Sequence, residues 1–217
     1  MSARQSAAMP SPFPPIDDYA FLSDCHTGAL VAPDGSVDWL CVPSFDAPSV
    51  FGTLLDREAG NFRLAPFGIN VPASRVYEAG TNTLVTTWRT ADGWVEVRDA
   101  LTMGTREGDD TVTPHTRPPA DDDADHTLVR TIVCLEGRVE IELICEPVFD
   151  YGRTSAAWAL VDDARHTADA TGAGVTVRLT TNMPLGGGTP GPIRQLFLDP
   201  ALADARGQDR ASFSARL

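Results

Sequence analysis

Glu140 and Glu142 stand one residue apart in the run Arg138–Val148, where Val139, Ile141, Leu143 and Cys145 alternate with them. In a strand such residues share a face, about 6.7 Å apart. That lies inside the roughly 6.5–9.5 Å that separates acid from base in inverting glycoside hydrolysis. Any E-x-E strand offers this spacing, however, and neighbours on one strand face outward together instead of across a substrate. The pair reads as a solvated face. Asp121, Asp122, Asp123, Asp125 and His126 could ligate a hard cation, but no glycine-turned twelve-residue loop with a closing glutamate follows. A charged insertion is the reading left. Gly186, Gly187 and Gly188 lack the lysine and the helix of a phosphate cradle. Cys25 and His26 are adjacent and would point to opposite faces of an extended segment, so they cannot pair as nucleophile and base. Spacing alone supplies no catalytic constellation.

One group of residues has a second reading. Trp39, Phe45, Phe149, Tyr151 and Trp158 lie beside Asp38, Asp46, Asp150 and Arg153. Aromatic rings next to carboxylates and an arginine suit sugars, because pyranose faces stack on rings while hydroxyls bond charged groups. The same pattern also describes core rings with charged loop caps, and the residues alone leave both open.

The elements that must position these groups are strands. Pro33-Asp34-Gly35 is a turn that joins Ala29–Val31 to Val37–Cys41. Thr83–Thr90, the turn Ala91-Asp92-Gly93 and Trp94–Leu101 form a clear hairpin, with Leu84, Thr86 and Trp88 on one face. Thr127–Leu135, the turn Glu136-Gly137 and Arg138–Val148 predict a second hairpin. Val175–Thr180, Arg194–Leu198 and Ala211–Leu217 predict three further strands. Only Ser49–Asp56, after Pro48, predicts a helix, of about two turns. Many short strands with few helices imply an all-β, antiparallel β-sandwich.

Residues 1–15 hold four prolines and read as a disordered leader, followed by one sandwich domain over 16–217. Thr105–His126 is an exposed insertion and Gly186–Pro192 a flexible connector. Ala211–Leu217 stops in mid-pattern, and a strand left at an open edge is a liability. The expectation is therefore a sandwich truncated before its last strands, at the front of a longer protein.

Composition narrows the partners. Seventeen basic residues, all arginine, against 30 acidic ones give a net charge of −13. Such a surface repels nucleic acid and anionic membranes. No apolar run is long enough to span a membrane, and no signal peptide is evident. The four cysteines, Cys25, Cys41, Cys134 and Cys145, have no metal spacing; three sit in apolar surroundings, and buried free thiols of a cytoplasmic protein are the reading.

The string PPIDDYAFLSDCHTGALVAPDGSVDWLCVPSFDAPSVFGTLLD (Pro14–Asp56) resembles the opening of bacterial glycoside hydrolase family 15 proteins. The likeness continues through GNFRLAP (Gly60–Pro66), TLVTTWRTADGWVEVRDAL (Thr83–Leu101) and LVRTIVCLEGRVEIELICEPVFDYGR (Leu128–Arg153). The start and the segment Val50–Phe62 are most like the actinobacterial trehalases of that family; glucoamylases and dextran glucosidases are its other branches.

The resemblance implies an N-terminal supersandwich-like domain, then a linker and an (α/α)6 barrel that carries the two catalytic glutamates. No position here matches the barrel motifs, so this chain holds no catalytic residue and is expected to be inactive alone. The implied reaction is inverting hydrolysis of α,α-trehalose to glucose; the alternatives are an α-glucan substrate or a stand-alone carbohydrate-binding or oligomerisation module. Partners implied are the chain's own barrel and a small sugar, with a homo-oligomer left open. Mg2+ and inorganic phosphate are implied for the parent enzyme, without a ligand set here. By position, Trp39, Phe45, Asp46, Phe149, Asp150, Tyr151 and Arg153 are the expected barrel-facing or sugar-facing residues. Asp46 and Arg153 would bond barrel or glucose, while Trp39 and Tyr151 pack beneath. Ser44 and Ala47 depart from the arginine and serine commoner in that loop.

Overall fold

The computed structural model describes residues 13–103, 124–182, 185, 193–197 and 210–216. A 3-10 turn, Ile16–Asp18, leads into sixteen strands: β1 (Ala20–Ser23), β2 (Gly28–Val31), β3 (Ser36–Cys41), β4 (Ser49–Phe51), β5 (Gly60–Pro66), β6 (Ser74–Tyr77), β7 (Leu84–Arg89), β8 (Gly93–Met103), β9 (Ala124–Gly137), β10 (Glu140–Val148), β11 (Thr154–Ser155), β12 (Ala157–Leu160), β13 (Thr167–Gly172), β14 (Val175–Thr181), β15 (Ile193–Phe197) and β16 (Arg210–Arg216). The first sheet runs β1-β2-β3-β5-β10-β11, with β4 on β3 and β15 on β10; the second runs β12-β13-β14-β16-β9-β8-β7-β6. All the strand pairs are antiparallel, so the predicted all-β sandwich is the fold.

Alternation did its expected work on faces. Leu84, Thr86 and Trp88 turn inward together, as do Val139, Ile141, Leu143 and Cys145. These residues join Leu22, Leu40, Phe51, Phe62, Leu128, Ile132 and Leu179 in one core between the sheets.

Pairing is where the expectations needed correction. Thr127–Leu135 and Arg138–Val148 do not form a hairpin: β9 pairs with β8 and β16, whereas β10 pairs with β5, β15 and β11. Both strands carry one apolar face, and placing them in opposite sheets turns those faces toward each other. The hairpin partner of β9 is β8, with the expected insertion between them; residues 104–123 of that insertion lie outside the described ones. Ser49–Asp56 is not a helix either. Ser49, Val50 and Phe51 are all buried as β4, and Gly52 N–H turns to the carbonyls of Ala59 and Gly60. A helix would have carried part of that apolar run to the surface. The terminal strand, described as Arg210–Arg216, is not at an edge: β16 lies between β14 and β9. The leader's residues 1–12, residues 186–192 of the Gly-rich connector, Leu198 and Leu217 also lie outside the described residues.

A buried charge ties the sheets together. Arg130 of β9 is fully enclosed and forks onto Asp99 of β8, at 2.8 and 3.3 Å. Its remaining donors cross the core to the carbonyl of Phe62 and, at 2.7 Å, that of Gly35. The guanidinium also lies over the Phe62 ring, 5.0 Å from its centroid.

The β1 edge is closed by side chains from the other sheet. The Tyr77 hydroxyl accepts from Phe21 N–H at 2.8 Å and donates to Phe21 C=O at 3.0 Å. Arg75 donates to the Asp18 carbonyl and Asn82 to that of Ser23. Tyr77→Phe is expected to lower stability by about 1 kcal/mol through the two lost bonds. Urea unfolding measures this, and an unchanged midpoint would contradict the strap.

Candidate functional site

The outer faces of the two sheets differ in chemistry. On the second sheet, polar pairs cover the surface: Arg178 forks onto Asp169, and Arg98 joins Glu96 and Glu78. On the first, Phe21 stands opposite Leu30 and Leu30 opposite Trp39, so an apolar row crosses β1, β2 and β3. Phe21 is 47% exposed, and Leu30 and Trp39 are half-buried. Gly28 widens this surface, because a Cβ there would lie 2.3 Å from the Phe21 ring and 3.1 Å from Phe45. With glycine, both rings settle against the backbone. Phe45 is itself exposed and donates its N–H to the His26 carbonyl at 3.0 Å.

Tyr151 extends the row. Its ring lies 6.3 Å from that of Trp39, tilted by 31°. It is presented by an uncommon turn, in which Asp150 and Tyr151 have φ of 52° and 55° and Gly152 has φ of 85°. Left-handed backbone costs a non-glycine residue about 1–2 kcal/mol, and such outliers persist only where their surroundings fix them. Phe149 supplies one anchor: it is a buried core residue whose ring packs on Gly172 of β13. Gly152 supplies the other, resting so close to Ala59 that a Cβ would lie 2.7 Å from the Ala59 Cβ. Outside, Arg153 reaches Asp150 at 3.7 Å and is otherwise largely exposed.

The Pro43–Ser49 loop adds Asp46, whose carboxylate accepts from the Ser44 hydroxyl at 2.6 Å. That bond holds the Asp46 carboxyl below its ordinary range. Asp38, next to Trp39, is buried and accepts from the Tyr19 hydroxyl at 2.9 Å. Burial raises its pKa to about 6, with Asp34 adding to the rise while Tyr19 and Arg57 oppose it. A carboxyl whose folded pKa exceeds its unfolded value of 3.8 stabilises the fold fully only below that value. Its contribution is lost as pH rises through about 6. Asp38→Asn, which keeps an acceptor for Tyr19, is therefore expected to gain on the wild type by about 2–3 kcal/mol between pH 4 and pH 8. Urea unfolding across that range tests it, and parallel pH profiles for the two proteins would refute it.

Of the residues expected from sequence, Trp39, Phe45 and Tyr151 lie on this apolar face, Asp46 in the loop beside it, and Asp150 and Arg153 on the left-handed turn. Phe149 belongs to the core, and Trp158 sits half-buried on β12 of the other sheet. Phe21, Leu30 and Gly28 were missed; alternation marks Phe21 as outward, but only strand register brings it to Trp39. Glu140 and Glu142 do face outward together, and Glu142 is held by Arg63, which also donates to the Ile69 carbonyl. Among the described residues, Cys41 and Cys145 are buried free thiols while Cys25, also free, is exposed, a departure from the expected burial. His126 approaches the buried Asp24 at 3.6 Å, but no three His, Cys, Asp or Glu side chains among the described residues converge as a metal cage needs. These residues do not fit a Mg2+ site. No helix among the described residues is long and apolar enough to cross a membrane.

Residues 3–117 match the family model described as trehalase-like, N-terminal. The chain belongs to this family. The trehalase-like N-terminal domain is 52% identical over 182 residues to the trehalase of Mycolicibacterium smegmatis, covering 81% of this chain and 27% of that protein. It is 48% identical over 192 residues to the trehalase of Mycobacterium tuberculosis, covering 86% of this chain and 28% of that one. Trehalase 1 of Sulfolobus acidocaldarius is 40% identical over 84 residues, which are 39% of this chain and 15% of the relative. The domain thus spans little more than a quarter of the length of the two mycobacterial relatives. No solved structure matches it.

Proposed function

We infer that this domain is the N-terminal sandwich of a glycoside hydrolase family 15 α,α-trehalase, in which water and trehalose give two glucose molecules with inversion. The observation that carries the reading is the near-50% identity to mycobacterial proteins named trehalase, over most of this chain. Their greater length leaves room for a catalytic domain after the sandwich. The catalytic glutamates belong to that later domain and the sandwich serves by support: its outer apolar row, rimmed by Asp46, Asp150 and Arg153, borders the catalytic domain and its sugar. Trp39 and Tyr151, side by side within that row, stiffen the border from its surface. The free thiols of Cys25, Cys41 and Cys145 suit a reducing, cytoplasmic setting and a role in trehalose degradation there.

The test compares the 217-residue chain with the same chain fused to the catalytic portion. The fused protein is expected to release glucose from trehalose faster than from maltose, and the sandwich alone from neither. Trp39→Ala and Arg153→Ala in the fused protein should each lower kcat/KM by about tenfold, near 1.4 kcal/mol. Faster hydrolysis of maltose overturns the substrate, and glucose release by the sandwich alone overturns its supporting role.

A further inference from the structure

Among the strands that end the two sheets, β1, β6 and β12 meet different fates. The exposed backbone of β1 is strapped by Arg75, Tyr77 and Asn82, as described above. β6 carries Arg75 and is followed by Glu78, charges that discourage a further strand. β12, with the sequence Ala157-Trp158-Ala159-Leu160, pairs with β13 on one side and with no described strand on the other. No charged residue occurs between Arg153 and Asp162, and Leu160 and Val161 are 51% and 50% exposed. A neutral, apolar edge is the kind that natural sheets cover or pair.

Register fixes which backbone groups are free. Val161 N–H donates to the Thr167 carbonyl at 2.9 Å, in line with the pairing of Leu160 with Ala168 and Ala159 with Asp169. Ala159 and Ala157 therefore spend their N–H and C=O, and Val161 its N–H, on β13. Those of Trp158 and Leu160 point away from the sheet.

We propose that β12 is a self-pairing edge, joining two copies of this chain about a twofold axis through Ala159 to make one continuous antiparallel sheet. Among twofold registers, only the one that sets Trp158 against Leu160 of the second copy uses every free group within β12, each residue donating once and accepting once. The side chains agree. Ala159 meets its own copy, where only a small residue is needed, and exposed Leu160 reaches the half-buried Trp158 ring, a favourable cross-strand pair. Charge selects the same place: two chains of −13 meet most cheaply along an edge without carboxylates. Four residues of pairing bury less than the roughly 1,200 Å² of a stable interface, so association is expected in the micromolar range or weaker.

Sedimentation equilibrium of the 217-residue chain, from about 1 to 500 µM, reads the result. The wild-type mass should rise from 23.2 kDa toward twice that value. Ala159→Glu and Ala159→Arg, on the exposed face, should each stay monomeric with a near wild-type melting midpoint, and an equimolar mixture should recover the dimer. Leu160→Pro, which deletes an outward N–H while sparing the β13 ladder, should also be monomeric. A wild type that remains monomeric throughout means that the edge is free or is covered by another strand, and overturns the proposal. So does an Ala159→Glu protein that associates as the wild type does.

Discussion

Arg130→Ala is expected to cost about 3–5 kcal/mol of stability, the range for breaking a buried ion pair by removing one partner. The loss has three parts on this structure. Asp99 keeps a buried carboxylate without its fork, the carbonyls of Phe62 and Gly35 lose their donor, and the Phe62 ring loses the cation above it. Against the roughly 5–15 kcal/mol of usual domain stability, a loss of that size removes a large share of the total and should lower the unfolding midpoint markedly. Arg130→Met with Asp99→Leu removes both charges at similar volume and should recover most of the loss, although the two carbonyls stay without a donor. The cycle is read by urea unfolding with circular dichroism. An Arg130→Ala protein within about 1 kcal/mol of wild type would falsify the staple.

Gly152→Ala should carry the next largest effect, about 3 kcal/mol. Alanine at φ 85° pays the left-handed penalty of about 1–2 kcal/mol, and its Cβ must displace Ala59 from 2.7 Å, an overpacking cost of about 1–3 kcal/mol. Gly174→Ala separates the two causes, because Gly174 has a similar φ of 80° but nothing within 4 Å of a Cβ. It should lose only the backbone part. Gly152→Ala should also weaken the near-ultraviolet circular dichroism of the Trp39–Tyr151 pair, which Gly174→Ala leaves intact. Equal losses at the two glycines would show that contact with Ala59 is not what fixes the turn.

The sites of these effects differ in how readable they are. The inward faces of Thr83–Leu101 and Arg138–Val148 follow from period two, because a half-buried strand must place its apolar residues on one side. The same rule hides Arg130: it falls on the inward face with Leu128 and Ile132, and nothing in its neighbours reveals that Asp99 and two carbonyls await it. Ser49–Asp56, after Pro48, reads as a helix of about two turns, yet Ser49, Val50 and Phe51 are all buried as a strand paired with β3. Around the candidate site, aromatic residues beside carboxylates were visible as a pattern. The pattern could not sort Phe149, which is core, from Tyr151, which the left-handed turn sends outward.

Sequence by itself determined nine of the sixteen described strands, the buried faces of the clearest of them, the all-β class and the resemblance that the family match confirms. These are local properties, set by alternation, turn residues and ordered motifs. Tertiary structure alone decided that β9 and β10 part to opposite sheets, that Phe21, Leu30 and Trp39 form one row, and that Arg130 spans the core. Each depends on contacts between residues distant in the chain, and alternation constrains which way a side chain points but not which strand lies beside it.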